Sequence, residues 1–154
     1  MMVARLRSAT ADDTDFLRAV YAGTRTEELA LTDWTDAQKA AFCRQQFDAQ
    51  DAHYRAHYPT SEFSIIENGT AAIGRLYVDR WDKEIRVMDI SILPEFRGAG
   101  VGTQLLRGLQ DEARAAGKSL SIHVEKFNPA LRLYERLGFK PIEDKGVFLL
   151  MSWT

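Results

Sequence analysis

Residues Arg97–Gly102 read Arg-Gly-Ala-Gly-Val-Gly, three glycines alternating with small side chains directly after an arginine. Such a run suits anion binding. Glycine permits positive φ and lets a ligand approach the backbone. A helix opening at that point exposes unpaired N–H groups and a partial positive charge. Arg97 adds a fork of donors beside the same place. The stretch Ile92–Thr103 therefore reads as strand, turn, anion nest and helix. Two other phosphate loops do not fit. A P-loop requires Lys-Ser/Thr after its last glycine, where this chain has Thr103-Gln104. A dinucleotide fingerprint counted from Gly98 and Gly100 needs a glycine where Thr103 stands. Taken alone, the loop also reads as a glycine-rich connection without a ligand.

The elements that must position this loop follow from pattern. Val3–Ser8 reads as a short first strand, and Thr10 as the N-cap of a helix that runs to about Tyr21, with Asp13 in its acidic first turn. Thr35 caps a longer helix from Asp36 towards Tyr58, stopped by Pro59. Glu62–Glu67 is strand-like and runs into Asn68-Gly69, a type I′ hairpin signal. Thr70–Asp79 and Glu84–Leu93 continue an antiparallel meander. Beyond Pro94, Val101, Leu105, Leu106, Leu109 and Ala113 keep helical spacing, with Gly117 as the stop. Leu120–Val124 is a strand, Pro129–Leu137 a short helix closed by Gly138, and Val147–Trp153 a final strand. The order is α+β with a strand–helix–strand unit in the C-terminal half.

Composition narrows the class. A chain of 154 residues with 45% hydrophobic and 10% aromatic content is the size and make-up of one globular domain, 1–154. A net charge of −2 without a basic stripe argues against a nucleic-acid partner. Cys43 is the single cysteine, so no internal disulfide can form and a reducing cytoplasm is the expected location. The start lacks the apolar core of a signal peptide, and no uncharged apolar stretch is long enough to span a membrane.

A second motif sharpens the loop. Asn128-Pro-Ala-Leu-Arg-Leu-Tyr134-Glu-Arg-Leu-Gly138-Phe139 resembles the N…A-x-x-x-Y-x-x-x-G-F pattern of the GNAT N-acetyltransferase superfamily, and Arg97–Gly102 resembles its pyrophosphate loop. Ala130, Tyr134, Gly138 and Phe139 fall in register, while Asn128 sits one residue closer to the alanine than in many members. The resemblance implies a mixed, mostly antiparallel sheet flanked by helices, with two parallel strands splaying around acetyl-CoA as co-substrate. Those strands would be Ile85–Leu93 and Leu120–Val124. Carried over, the backbone at Ile92 holds the pantetheine arm, and Arg97, Gly98, Ala99, Gly100, Val101, Gly102 and Thr103 cradle the pyrophosphate. Asn128 matches the asparagine that contacts the cofactor arm, although a helix N-cap would explain it equally.

The chemistry so implied is attack of an amine on the thioester carbonyl with loss of CoA thiolate. Orientation of both reactants and backbone N–H groups at the oxyanion supply the catalysis. Tyr134 is similar to the tyrosine that protonates the leaving sulfur; its other reading is a core aromatic. The family often places a glutamate six residues before the position held by Ile92, and here that residue is Arg86, which cannot accept a proton. Glu84 and Asp89 are the nearby carboxylates. They lie an odd number of residues apart and face opposite ways on a regular strand, unless a β-bulge reverses the parity. Asp89 is the expected base, with water relayed to bulk as the alternative.

Other polar residues carry weaker signals. His53 and His57 have metal-ligand spacing but no visible further ligands, so no metal is expected. Trp34, Tyr54 and Tyr58 could line an acceptor pocket or pack. Glu27, Glu28 and Asp33 could attract a cationic amine but read first as a solvated acidic loop. His123 lies on the splayed strand, where it could touch substrate or serve a structural role. The function expected is acetylation of a primary amine on a small-molecule or peptide acceptor; the alternative is a non-catalytic acyl-CoA-binding regulatory module. Dimers are common among proteins of this resemblance, so a homodimer is compatible with it.

Overall fold

The computed structural model describes residues 4–154; the expected start of the first strand at Val3 lies outside them. Seven strands form one sheet in the order β1-β2-β3-β4-β5-β7-β6. They are β1 (Ala4–Ser8), β2 (Glu62–Asn68), β3 (Ala71–Arg80), β4 (Glu84–Ile92), β5 (Ser119–Glu125), β6 (Lys140–Asp144) and β7 (Phe148–Trp153). Every neighbouring pair is antiparallel except β4 and β5. This is the mixed, mostly antiparallel sheet with one parallel pair that the motifs imply.

Helices cover both faces. On one side α1 (Thr14–Ala30) and α2 (Asp36–His57) bury Leu17, Tyr21, Leu29, Cys43 and Phe47 against Ile65 and Tyr77 of the sheet. On the other, α3 (Val101–Ala116) lays Val101, Leu106, Leu109 and Ala113 on Ile85, Val87, Leu120 and Ile122, with Tyr134 and Phe139 completing the cluster. Each helix buries one apolar stripe, as its periodicity demands. No helix among the described residues is long and apolar enough to cross a membrane.

Several local readings need correction. The first helix does not stop near Tyr21. Thr10 precedes a short 3₁₀ turn, Ala11–Asp13, which runs into an α1 that continues to Ala30. Glu27 and Glu28 therefore lie on a helix and not in an acidic loop. Gly23 lies inside the same helix, where a β-carbon would sit 3.2 Å from Pro94 Cδ. The hairpin after β2 is not type I′, which needs positive φ at both central residues. Asn68 still pairs with Ala71, so the central residues are Gly69 and Thr70, and only Gly69 takes positive φ (63°). The strand β6 was missed altogether. It is an exposed edge carrying Pro141, tolerable only where no ladder bond is needed. The last short helix, α4, spans only Leu131–Arg136.

Thr35 behaves as read. Its hydroxyl accepts from Gln38 N at 3.1 Å while Gln38 Oε1 accepts from Thr35 N at 2.8 Å, a reciprocal capping box that starts α2.

Candidate active site

The parallel pair separates part-way along. β4 and β5 are in register only from Glu84 with Ser119 to Val87 with Ile122. Beyond that point β4 stays bonded to β3 as far as Ile92, and β5 stays bonded to β7 as far as Glu125. A gap therefore opens between Met88–Ile92 and His123–Glu125. A β-bulge marks its apex: Val78 faces Val87 and Tyr77 faces Asp89, leaving Met88 as the extra residue. The bulge reverses side-chain parity. Ile85 and Val87 belong to the α3-side core, and so do Ile90 and Ile92. Asp89 and Ser91 consequently share the α1/α2 face with Glu84 and Arg86.

One wall of the gap is backbone. Leu93 N donates to Ile73 O on the β3 side at 2.8 Å, so the alternation of a strand turns the amide and carbonyl of Ile92 into the gap. The wall is pressed close to its support: a β-carbon on Gly74 would sit 2.3 Å from Ser91 O. After a 3₁₀ turn at Pro94–Phe96, Gly98 (φ 79°) and Gly100 (φ 83°) take left-handed conformations that steer the chain into α3. The first backbone bond of that helix runs from Gln104 N to Gly100 O at 3.0 Å. The amides of Val101, Gly102 and Thr103 thus point out of the helix start with no intrahelical partner. The space around the α-carbons of Gly98 and Gly100 is open. This cradle of glycine backbone at a positive helix end fits a pyrophosphate. Arg97 is partly engaged in building it: Nε donates to Ile92 O at 2.9 Å and Nη2 to Gly23 O at 3.4 Å.

Across the gap, Asn128 Oδ1 accepts from Ala130 N at 2.9 Å and shapes the entry to α4. Tyr134 is 4% exposed, with its ring edge-on to Phe139 at 6.0 Å. Burial pushes its hydroxyl pKa well above the ordinary phenol value, and the Asp89 charge acts in the same direction. The phenol is therefore a proton holder at neutral pH. Gly138 closes α4 at φ 95°, where a β-carbon would meet Trp153 at 3.2 Å.

The α1/α2 wall is built of side chains. Asp89 accepts from Arg75 Nε at 3.2 Å and Nη2 at 2.8 Å, and from Ser91 Oγ at 2.6 Å. Arg75 is 1% exposed, also donates to Gln50 Oε1 at 2.9 Å, and lies over the Tyr77 ring at 4.9 Å. Sequence reasoning missed this residue, although an arginine inside the apolar run of β3 was the signal. Tyr54 Oη donates to Met88 O at 3.4 Å, right at the bulge, and burial raises its pKa too. Glu84, the other carboxylate considered, accepts from Arg86 Nη2 at 2.8 Å and from Ser121 Oγ. Arg86 in turn approaches His123. Trp34 packs edge-on against Phe42 in the connection between α1 and α2, and Tyr58 against Tyr54.

The remaining candidates lie elsewhere. His53 and His57 stack at 4.3 Å on an exposed turn of α2, and the described residues hold no group of three or more ligands disposed for a metal. A cavity of about 280 Å³ between α1 and α2, lined by Thr14, Arg18, Asp48 and Arg55, shares no residue with the gap.

Comparison with known proteins agrees with this geometry. Residues 25–139 match the model of the acetyltransferase (GNAT) family. Aminoalkylphosphonate N-acetyltransferase of Salmonella typhimurium is 31% identical over 143 residues, 91% of this chain and 87% of that protein. Streptothricin acetyltransferase of Streptomyces lavendulae is 38% identical over a shorter segment, 38% of this chain and 32% of that one. Among solved structures, the PaiA N-acetyltransferase of Thermoplasma acidophilum in complex with coenzyme A superposes with a TM-score of 0.73 at 15% identity, covering 98% of both chains. YncA of Salmonella typhimurium with acetyl-CoA gives 0.61 at 22%, over 98% of this chain and 93% of that one. At such identities the structural likeness speaks for the fold.

Proposed function

This chain belongs to the GNAT family of acetyltransferases, and we propose that it acetylates the primary amine of a small acceptor bound between the β4–β5 gap and helices α1 and α2. It is an acetyl-CoA-dependent N-acetyltransferase, and the family uses acetyl-CoA without a metal. The observation that carries the proposal is the gap itself, which runs from the Met88 bulge to the open amides of α3.

When bound, acetyl-CoA supplies the activated acyl group; the rest of the work falls to the chain. The amides from Gly98 to Thr103 hold the pyrophosphate, with Ala99 small enough to leave them accessible and Arg97 bracing the loop. The backbone at Ile92 takes the pantetheine arm. Asn128, whose Oδ1 is held by Ala130, keeps its amide N–H₂ for the same arm. Tyr134 stands across the gap as the donor to the departing sulfur. Burial keeps the phenol protonated at neutral pH but makes it a weaker acid than an ordinary one. It therefore acts first as a hydrogen-bond donor to the sulfur, with water as the other source of the proton.

Asp89 takes a different part from the base expected of it. Both its oxygens are engaged by Arg75, and one also by Ser91. With its oxygens already taken by Arg75 and Ser91, neither is left open towards the proton of an acceptor amine. Asp89 instead acts as a fixed negative charge, drawing a cationic acceptor and stabilising positive charge that develops on the attacking nitrogen.

Similarity to the Salmonella enzyme favours an amine that also carries an acidic group. Thiol release from acetyl-CoA should be measured with 2-aminoethylphosphonate, putrescine, lysine and a short peptide with a free N-terminus. Turnover with 2-aminoethylphosphonate above the others is expected. Binding of acetyl-CoA with no thiol release against any amine would contradict catalysis and leave a binding module.

A further inference from the structure

The carboxylates that the sequence offers as bases are both tied up. Asp89 is held by Arg75 and Ser91, and Glu84 by Arg86 and Ser121. One titratable side chain is better placed. His123 follows Ile122, the last residue of β5 in register with β4, so it stands at the apex where the strands part. Its flanking residues Ile122 and Val124 lie in the α3-side core, which turns the imidazole to the acceptor face.

The surroundings of the ring are specific. Arg86 Nη1 lies 3.5 Å from His123 Nδ1. A guanidinium only donates, so Nδ1 is the unprotonated nitrogen and Nε2 carries the hydrogen. The contact is long beside the 2.7 Å and 2.8 Å bonds that hold Arg86 on Ser121 and Glu84, so an acceptor amine can replace it at Nδ1. From β4 the ring faces Arg86 and Glu84; from β6 and the turn after it, Glu143 and Lys145. From α1, Arg25 reaches Glu28 at 2.9 Å and Glu125, two residues further along β5, at 3.1 Å, so α1 closes this side of the gap. Partial burial and then the Arg86 charge hold the His123 pKa below the ordinary value, which leaves the imidazole neutral at neutral pH.

We propose that His123 is the general base for acetyl transfer, taking at Nδ1 the proton that the acceptor amine must lose. This rests on the acetyl-transfer reading above. The acceptor, once it has released its ammonium proton to solvent, forms the new C–N bond with its nitrogen lone pair. That nitrogen then gives one further proton to the imidazole as the C–S bond breaks. The sulfur takes a proton from Tyr134, the imidazolium returns its own to solvent, and the phenolate is reprotonated from the same pool. One amine and one thioester thus give one amide and one thiol. Arg86 is a positioning residue: it fixes the tautomer and sets the proton affinity.

The test compares wild type with His123→Gln and Arg86→Met, using the amine with the fastest thiol release in the panel above. In His123→Gln, kcat/KM should fall by about 10²-fold, with the KM for acetyl-CoA and the CoA-induced rise in Tm unchanged, and the acid limb of the pH profile should disappear. In Arg86→Met the limb should move to higher pH. An unaltered rate and limb in His123→Gln, with a normal CoA response, would overturn the proposal. Imidazole NMR of the full chain gives an answer without any acceptor. The His123 ring should titrate below the ordinary imidazole value and move up in Arg86→Met; titration above that value in wild type would equally overturn the proposal. Thiol release from none of the amines would instead count against the acetyl-transfer reading, and the NMR result would still stand.

Discussion

The two walls of the gap are made differently. The wall towards α3 is backbone: Ile92, the left-handed glycines and the first amides of the helix. The wall towards α1 and α2 is a set of side chains from distant segments, with Arg75 paired to Asp89, Arg86 beside His123 and Tyr54 tied to the Met88 carbonyl. Backbone donors suit a constant group such as the phosphates of a cofactor. Side chains can differ without disturbing the strands, which is why the proposed acceptor is placed on that wall.

The sharpest way to break the backbone wall lies behind it. Gly74→Val would force a β-carbon into Ser91 O across the β3–β4 pair, where backbone has no room to give. Loss of a cooperative thermal transition is expected, as seen by circular dichroism; a stable, soluble variant would show that β4 is free to shift.

On the other wall, Arg75→Met leaves the Asp89 charge without its buried partner and should cost about 3–5 kcal/mol in urea unfolding. The double variant Arg75→Met/Asp89→Leu should recover most of that loss. Equal destabilisation in both would mean that packing, and not charge, dominates at this position.

Tyr134→Phe touches the chemistry across the gap from the backbone wall and leaves the shape of the site intact. It should reduce kcat by about 10²-fold, near 2.7 kcal/mol of activation free energy, with CoA affinity unchanged. An unchanged kcat would return the tyrosine to packing against Phe139.

The smallest effect concerns the roof of the acceptor wall. Thr35→Ala removes the cap of α2 and should cost about 1 kcal/mol without altering CoA binding.

How much of this was legible followed the same division. Glycines at Gly98 and Gly100, the start of α3 and the Thr35 cap were readable because local residue type alone determines them. The splayed pair and its strands came from the resemblance. The bulge at Met88 was conceivable but not locatable, since it depends on the register between β3 and β4. The pairing of Arg75 with Asp89 was invisible for a related reason: it joins residues 14 positions apart on adjacent strands. The strand β6 gave no alternating pattern because all its residues are exposed. Asn68-Gly69 announced a turn, yet pairing of Asn68 with Ala71 moved the turn one residue on.

The central claim is that the loop opening α3 holds the pyrophosphate of acetyl-CoA. Isothermal titration calorimetry of CoA into wild type and Gly100→Val tests it most directly. Valine is strained at φ 83°, and the fault is confined to an open loop position, so the fold should survive. Saturable one-to-one binding to wild type, weakened at least about tenfold in a variant that keeps its circular dichroism spectrum, is the result expected. No heat from wild type at millimolar CoA, or equal affinity in the folded variant, would contradict the claim.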